Sequence, residues 1–261
     1  MTTILQSSLP FAPWADDRTR RLPGIVPIPM EDWLEADSAY AGQMAERDRL
    51  IAEAPDKVLA MTPAGEAGAA ELYETVLPLL PALGIALEGG VALRPDGVSV
   101  PLDPAAPLAT LGRLVQEDFC LMAEGPEGHV LTGAVLCFPA GWTLAEKLGR
   151  PMMGIHRPVA KYTEDLGRRV QRLMDGVQPG RVLMRGTAHH FGGPLHNPRT
   201  ESAGRAPETD LPFIRVERQG LMRLPRTGLV TFSIHTYIVR PEALSPEQAA
   251  LLAEFPIRSA A

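Results

Sequence analysis

The sequence predicts an α+β protein: a mainly helical part over residues 30–117 and an antiparallel sheet core over 118–240, within a single domain spanning 1–261. Three observations predict it. Between 30 and 117, apolar residues recur at three- and four-residue steps, the spacing that lines one side of a helix. From 118 the runs shorten and become strand-like, separated by Gly- and Pro-containing turns. The longest unit, PFIRVERQGLMRLPRTGLVTFSIHTYIVRP, reads as two strands about a short Pro- and Gly-containing loop.

The elements follow in order. Prolines at 10, 13, 23, 27 and 29 make the first 30 residues extended and irregular. In MEDWLEADSAYAGQMAERDRLIAEA, a helical stripe runs through Trp33, Tyr40, Met44, Arg47 and Ile51. Thr62-Pro63 reads as the N-cap and first-turn proline of a second helix, continuing through LYETVLPLLPAL with a break at Pro78 or Pro81. Gly89-Gly90 and Pro95-Asp96-Gly97 are hairpin turn signals, and Leu108, Leu111, Leu114 and Val115 form another helical stripe. DFCLMAEG and HVLTGAVLCFP read as two strands joined at GPEG. Thr143 and Glu146 have the spacing of a capping box, and Gly149 is expected to end the short helix they start. His156 then falls just beyond a Gly149-Arg150-Pro151 turn. YTEDLGRRVQRLMDGV is an amphipathic helix with Tyr162, Leu166, Val170 and Leu173 on one side, and RVLMRGTAHHF is a candidate strand. In the last hairpin, Val230, Phe232, Ile234, Thr236 and Ile238 share one face, and Thr231, Ser233, His235 and Tyr237 share the other. One face is expected to be core and the polar one to line a cavity. Ser245 is the expected cap of a closing helix.

Composition excludes several function classes. Of 261 residues, 45% are hydrophobic and 21% charged, which is ordinary for a soluble globular chain. A formal net charge of -6 argues against nucleic acid as the main partner, because phosphate contacts need a basic surface. No apolar run reaches membrane-spanning length and the first residues lack the pattern of a signal peptide, so a cytoplasmic protein is expected. Two cysteines, Cys120 and Cys137, suit free buried thiols in a reducing compartment. There is no zinc spacing, no CxxCH haem-attachment site, no GxGxxG and no GxxxxGK[ST].

The histidines are the candidate chemistry. His156, alone in GRPMMGIHRPVA, is either a packed loop residue or a metal ligand. His189, His190 and His196 cluster in TAHHFGGPLHNP, yet neighbours on a strand point to opposite faces, so His189 and His190 cannot serve one metal together. His235 sits beside Tyr237 on the polar face of its strand. His129 follows a turn and is expected to be exposed. Cys137 follows an apolar strand and reads as a structural thiol rather than a thiolate ligand.

Several stretches together resemble the haem-dependent oxidative N-demethylase family. They are DWLEADSAY…ERDRL, EDFCLM, LTGAVLCFPAGWTLAEKLGRPMMGIHRPV and RVERQGLMRLPRTGLVTFSIHTY, in the family's order and over most of residues 30–240. The combination of FP-x-x-W-x-L-x-E-K-x-G-R, I-H-x-P-V and R-V-E-R-Q…R-L-P-R-T-G carries the resemblance. The chain departs from the pattern at Ala160, where a proline is usual, and at Gly186-Thr187 after Arg185, where the family commonly has Asn-Trp.

The resemblance implies a PAS-like antiparallel sheet with flanking helices around a haem b. It implies oxygen-dependent removal of a methyl group from a small amine such as dimethylamine, with electrons from a flavin and iron–sulfur reductase partner. His156 is then the expected axial iron ligand. Arg150, Arg157, Arg218, Arg223 and Arg226 are candidate partners of the haem propionates, since guanidinium pairs with carboxylate through two bonds; an internal salt-bridge network is the alternative for each. Glu217 or Tyr237 would meet a cationic amine. His235, Thr187, Thr231 and Ser233 are candidate hydrogen-bond donors near bound oxygen. The competing class is a haem-based gas sensor or a ligand-binding PAS-like module; a subunit whose haem site has decayed is a third.

Overall fold

The computed structural model describes residues 3–21, 23–157, 162–203 and 211–259. The first part supplies strands β1 (Val26–Ile28), β2 (Leu59–Met61), β3 (Ala86–Glu88), β4 (Val91–Leu93) and β5 (Ser99–Pro101). The second part supplies β6 (Asp118–Ala123), β7 (Val130–Val135), β8 (Val182–Phe191), β9 (Phe213–Arg223), β10 (Val230–Val239) and β11 (Arg258–Ser259). The main sheet runs β1-β8-β9-β10-β6-β7-β2, antiparallel throughout, with β11 parallel beside β8. The predicted α+β class with an antiparallel sheet is what the chain adopts. Two of its strands, β1 and β2, come from the part expected to be irregular or helical. The Gly89-Gly90 and Pro95–Gly97 turns connect β3, β4 and β5 in a separate small sheet.

The helices are α1 (Asp17–Arg20), α2 (Tyr40–Glu53), α3 (Pro55–Val58), α4 (Glu66–Val76), α5 (Pro107–Gly112), α6 (Leu144–Lys147), α7 (Met152–His156), α8 (Glu164–Gly176) and α9 (Pro246–Glu254). The helix expected from residue 30 begins only at Tyr40. Asp37 interrupts it: its carboxylate accepts the Ala39 N–H at 2.8 Å and its carbonyl accepts that of Tyr40. Trp33 is consequently carried on a short 3-10 turn and donates through Nε1 to Ser233 at 2.9 Å. The second helix tightens into 3-10 turns at Leu77-Pro78, where the prolines were expected to break it. Ser245 and Gln248 close a capping box on α9.

The main sheet is covered on both faces. Leu221, Phe232 and Ile234 on one face pack with Leu144, Met152, Ile155, Val170 and Met174 of α6, α7 and α8. Opposite faces of the same strands meet the helical part, through Trp33, Met44, Leu72 and Phe119, and the N-terminal arm with α9, through Trp14, Ile214, Val216 and Tyr237. The polar row of β10 was expected to line a cavity. It is instead buried, with Thr231, Ser233, His235 and Tyr237 each at most 3% exposed, whereas Phe232 on the apolar row is only half-buried. His129, expected at the surface, is 1% exposed, because Gln171 of α8 bonds both its backbone N–H and its Nδ1.

Candidate functional site

The five-residue helix α7 carries His156 on its last turn, not in a loop. Its mount is rigid. Gly149 takes a left-handed φ of 75° to end the preceding turn, and Pro151 pairs with Val130 at the head of β7. The Met152 N–H donates to the His129 carbonyl, and Lys147 Nζ reaches the Ile155 carbonyl at 2.7 Å. Lys147 itself is held by Glu201 at 2.7 Å.

The protonation of His156 follows from one bond. Its Nδ1 lies 3.0 Å from the Met152 carbonyl, which can only accept, so Nδ1 carries the hydrogen. Nε2 therefore keeps its lone pair in the neutral ring, and no hydrogen-bond partner meets it among the described residues. Burial lowers the pKa of this imidazole below its ordinary 6.5; the Met152 carbonyl opposes that, and the positive charges of Lys147 and Arg185 add to it. Tyr162 stacks on the ring at 4.2 Å between centroids and 14° between planes. Stacking covers the ring's face, while the lone pair of Nε2 lies in the ring's plane, so its edge stays available.

Strand register decides what shares this side of the sheet. Arg185, Thr187 and His189 of β8 stand opposite Gln219, Glu217 and Arg215 of β9. Glu217 and Gln219 in turn stand opposite Thr236 and Ile234 of β10. Of this face, Ile234 with Leu221 and Phe232 packs on α6, α7 and α8. Every residue from 183 to 190 is only half-buried, as are Tyr162 just before α8 and Leu166, Val170 and Leu173 along it. Both elements thus keep apolar surface that the chain does not fully cover. Glu217 accepts from Arg215 at 3.1 Å and, through its other oxygen, from the Gln219 amide at 3.0 Å. The Nε of Arg185 is buried with no hydrogen-bond acceptor, and so is the Tyr162 hydroxyl.

His235 and Tyr237 lie on the other face. They stand opposite Arg218 and Val216, whereas Glu217 stands opposite Thr236, so a sheet's thickness separates them from Glu217 and the three do not line one chamber. His235 is clamped between two carboxylates from the helical part: Glu117 at 2.9 Å on Nδ1 and Asp37 at 3.1 Å on Nε2. Burial alone would lower its pKa, but the Glu117 and Asp37 charges and bonds raise it to about 10. Tyr237 donates to Glu35, and burial together with that carboxylate raises its phenol's pKa. A cleft of about 390 Å³ lined by Glu31, Glu35 and Asp37 opens on this face.

The candidate arginines separate in the same way. Arg218 donates to the Trp33 and Asp32 carbonyls and pairs with Glu35 across the sheet from His156. Arg223 donates to the Val177 and Met174 carbonyls, closing the C-terminal end of α8, and to Gly228. Arg226 pairs with Glu71 and Glu74 of α4. Arg150, beside α7, pairs with Glu201 at 3.1 Å, and Arg157 on the same segment is exposed. For Arg218, Arg223 and Arg226 the internal network is what the geometry shows. His189 faces the side of Arg215 and His190 the other; His196 donates from Nδ1 to the Cys137 carbonyl at 2.7 Å. Both cysteines are buried and free, and burial raises Cys137 to about 12, well above the range of a thiolate ligand at neutral pH.

The departures from the family pattern also separate. Gly186 faces away from His156, and a Cβ there would come within 2.4 Å of Phe11 and 2.6 Å of Pro13. The N-terminal arm occupies the space a side chain would need. Thr187 faces the His156 side, opposite Glu217. Ala160 lies outside the described residues. Sequence reasoning missed the Asp37–His235–Glu117 clamp and the roles of Lys147 and Arg185. Asp37 and Glu117 are remote from His235 along the chain, so no local spacing marks them, and Lys147 carried only its place in a helix.

Among the described residues, no group of three His, Cys, Asp or Glu side chains is arranged to hold a bare metal ion. One imidazole suffices only when the metal brings its own ring of donors, as in a haem. A neutral ring with a fixed Nδ1–H, a free Nε2 and half-covered apolar surface around it fits that group. No described helix is long and apolar enough to cross a membrane. A family model described as haem-dependent oxidative N-demethylase, alpha subunit-like, matches residues 24–255. This chain belongs to that haem-dependent oxidative N-demethylase alpha-subunit-like family.

Proposed function

We propose that the chain is the haem-b-bearing subunit of an oxygenase that removes a methyl group from a small secondary or tertiary amine, with His156 as the axial ligand. The antiparallel sheet with α6–α8 on one face would serve as a PAS-like haem chamber in a cytoplasmic protein. When bound, the haem supplies oxygen activation: with O2, two electrons and two protons, the N-methyl group leaves as formaldehyde and the second oxygen atom as water. The electrons come from a separate flavin and iron–sulfur reductase, in keeping with the alpha-subunit description of the family.

The residues of the chain do the rest. Met152 holds Nδ1–H, fixing the tautomer and making Nε2 a stronger donor. Glu217, kept in place by Arg215 and Gln219, is the carboxylate on this face suited to orient an ammonium group. Of the donors considered from the sequence, Thr187 is on this face, while Thr231, Ser233 and His235 lie across the sheet. His235 and Tyr237 hold the helical part to the sheet. The observation that carries the reading is the His156 ring, neutral and locked with Nε2 free.

The test is optical and then chemical. Purified protein reconstituted with haem is expected to show a Soret band that shifts in His156→Ala. Formaldehyde should then appear from dimethylamine with a surrogate reductase. A colourless protein after reconstitution, or a spectrum indifferent to His156→Ala, overturns the proposal.

A further inference from the structure

Arg185 is the anomaly on the open face. Its Nε is buried without an acceptor, and no hydrogen bond or ion pair reaches its guanidinium among the described residues. Arg218, Arg223 and Arg226 are all engaged by carbonyls or carboxylates. The nearest register partner of Arg185, Gln219, spends its amide on Glu217, and Glu217 is taken by Arg215. A buried N–H on a charged group without an acceptor is costly, so a native chain keeps one where something else completes it. Burial lowers the pKa of Arg185, with the Glu217 charge opposing, and its charge is felt at His156.

From this placement we propose that Arg185 is a carboxylate-binding residue of the His156 site. The carboxylate has two sources: a propionate of the tetrapyrrole, or the substrate itself, which would then be an N-methylated amino acid rather than a simple alkylamine. A guanidinium presents parallel donors that fit a carboxylate, and among the described residues no carboxylate pairs with this one. The inference rests on the His156 site taking a tetrapyrrole, and its test is built to fail separately.

The test uses the purified chain and its Arg185→Gln and Arg185→Lys variants. Iron-free protoporphyrin IX and its dimethyl ester are titrated by fluorescence, and N-methylglycine and dimethylamine are titrated by calorimetry. If a propionate is the partner, Arg185→Gln weakens the free-acid porphyrin ten- to a hundredfold, the size of one charge-assisted bond, and leaves the ester unchanged. If the substrate carboxylate is the partner, porphyrin affinity holds and N-methylglycine binding weakens by that factor, with dimethylamine unaffected. Arg185→Lys, with charge but no fork, falls between. A melting temperature in Arg185→Gln at or above wild type establishes that the fold is intact. Wild type and Arg185→Gln binding every probe alike, or wild type binding none, overturns the assignment. Porphyrin binding that depends on Arg185, with a haem spectrum indifferent to His156, overturns the function above and not this one.

Discussion

The two faces of the main sheet are built from alternate residues of the same strands, yet they are finished differently. On the face toward α2 and α4, ionisable groups are buried and clamped. His235 sits between Asp37 and Glu117, and at the start of β6 the wholly buried Arg47 of α2 donates to the carbonyls of Gly112, Gln116 and Glu117 and reaches Asp118, which stands opposite Ile234, at 2.7 Å. Asp118 also takes the N–H groups of Cys137 and Phe138. On the face toward α6, α7 and α8, Leu183, Arg185, Thr187 and His189 are half-buried, Arg185 and Tyr162 keep unpaired donors, and the imidazole of His156 keeps a free nitrogen. A charge network that costs much to assemble is spent on holding the helical part to the sheet. Each face keeps buried polar atoms without a partner, Glu117 Oε2 and Thr231 Oγ1 on the first and Arg185 Nε and the Tyr162 hydroxyl on the second, but only on the second do they stand beside an imidazole with a free nitrogen, where a ligand could finish them.

Substitutions break this contrast in descending order. Asp118→Ala leaves the Arg47 charge buried without its carboxylate and frees two backbone N–H groups; about 3–5 kcal/mol of stability is expected to go, read by urea denaturation. His235→Gln removes the cation between two buried carboxylates and is expected to cost about 3 kcal/mol at neutral pH. Gly186→Ala forces a methyl group against Phe11 and Pro13 and is expected to cost about 1–3 kcal/mol, read as a lower melting temperature. His156→Ala, half-buried and losing one hydrogen bond, is expected to cost less than about 1 kcal/mol while shifting the Soret band of the haem-loaded protein. A closed-face variant that melts like wild type, or a His156→Ala protein that fails to fold, would remove the distinction between the faces.

The same contrast has a pH signature. His235 is raised in the folded chain to about 10, so its stabilisation is fully present below its ordinary 6.5 and declines as pH rises toward 10. Asp37 is raised by burial but lowered more by its bonds and by the His235 charge, so its contribution holds above its ordinary 3.8 and is lost as pH falls through its lower folded value. Melting temperature is expected to fall from pH 6.5 toward 10, and that fall should be missing in His235→Gln. On the other face His156 is lowered, so acid below 6.5 favours the unfolded chain and, with His156 as the proposed ligand, would compete with iron for Nε2. Haem release is expected on acidification below that value, not on alkalisation.

Much of the framework was legible along the chain. The alternation in β10 set the row of His235 and Tyr237 apart from the row of Ile234 and Thr236, the GPEG turn joined β6 to β7, and Ser245 capped α9 as its spacing implied. What period-two alternation does not carry is which row meets solvent, a ligand or the core when both faces are covered. The row of Thr231, Ser233, His235 and Tyr237 looked like a cavity lining because its residues are polar. It is buried because Trp33, Glu35, Asp37 and Glu117 arrive from other elements to satisfy three of them, His235, Tyr237 and Ser233. His129 looked exposed after a turn until Gln171 of α8 closed over it.

The amino-acid order by itself determined the strand and helix periods, the turns that join them, the absence of thiol and multi-ligand metal spacings, and the lone imidazole between two prolines. Tertiary structure alone decided that His235 is a clamped cation, that Arg218, Arg223 and Arg226 are spent internally, and that the Nε of Arg185 meets no acceptor among the described residues. The reason is physical: a backbone period is set by neighbours a few residues away, whereas the partner that satisfies a buried charge comes from wherever the fold brings one within about 3 Å.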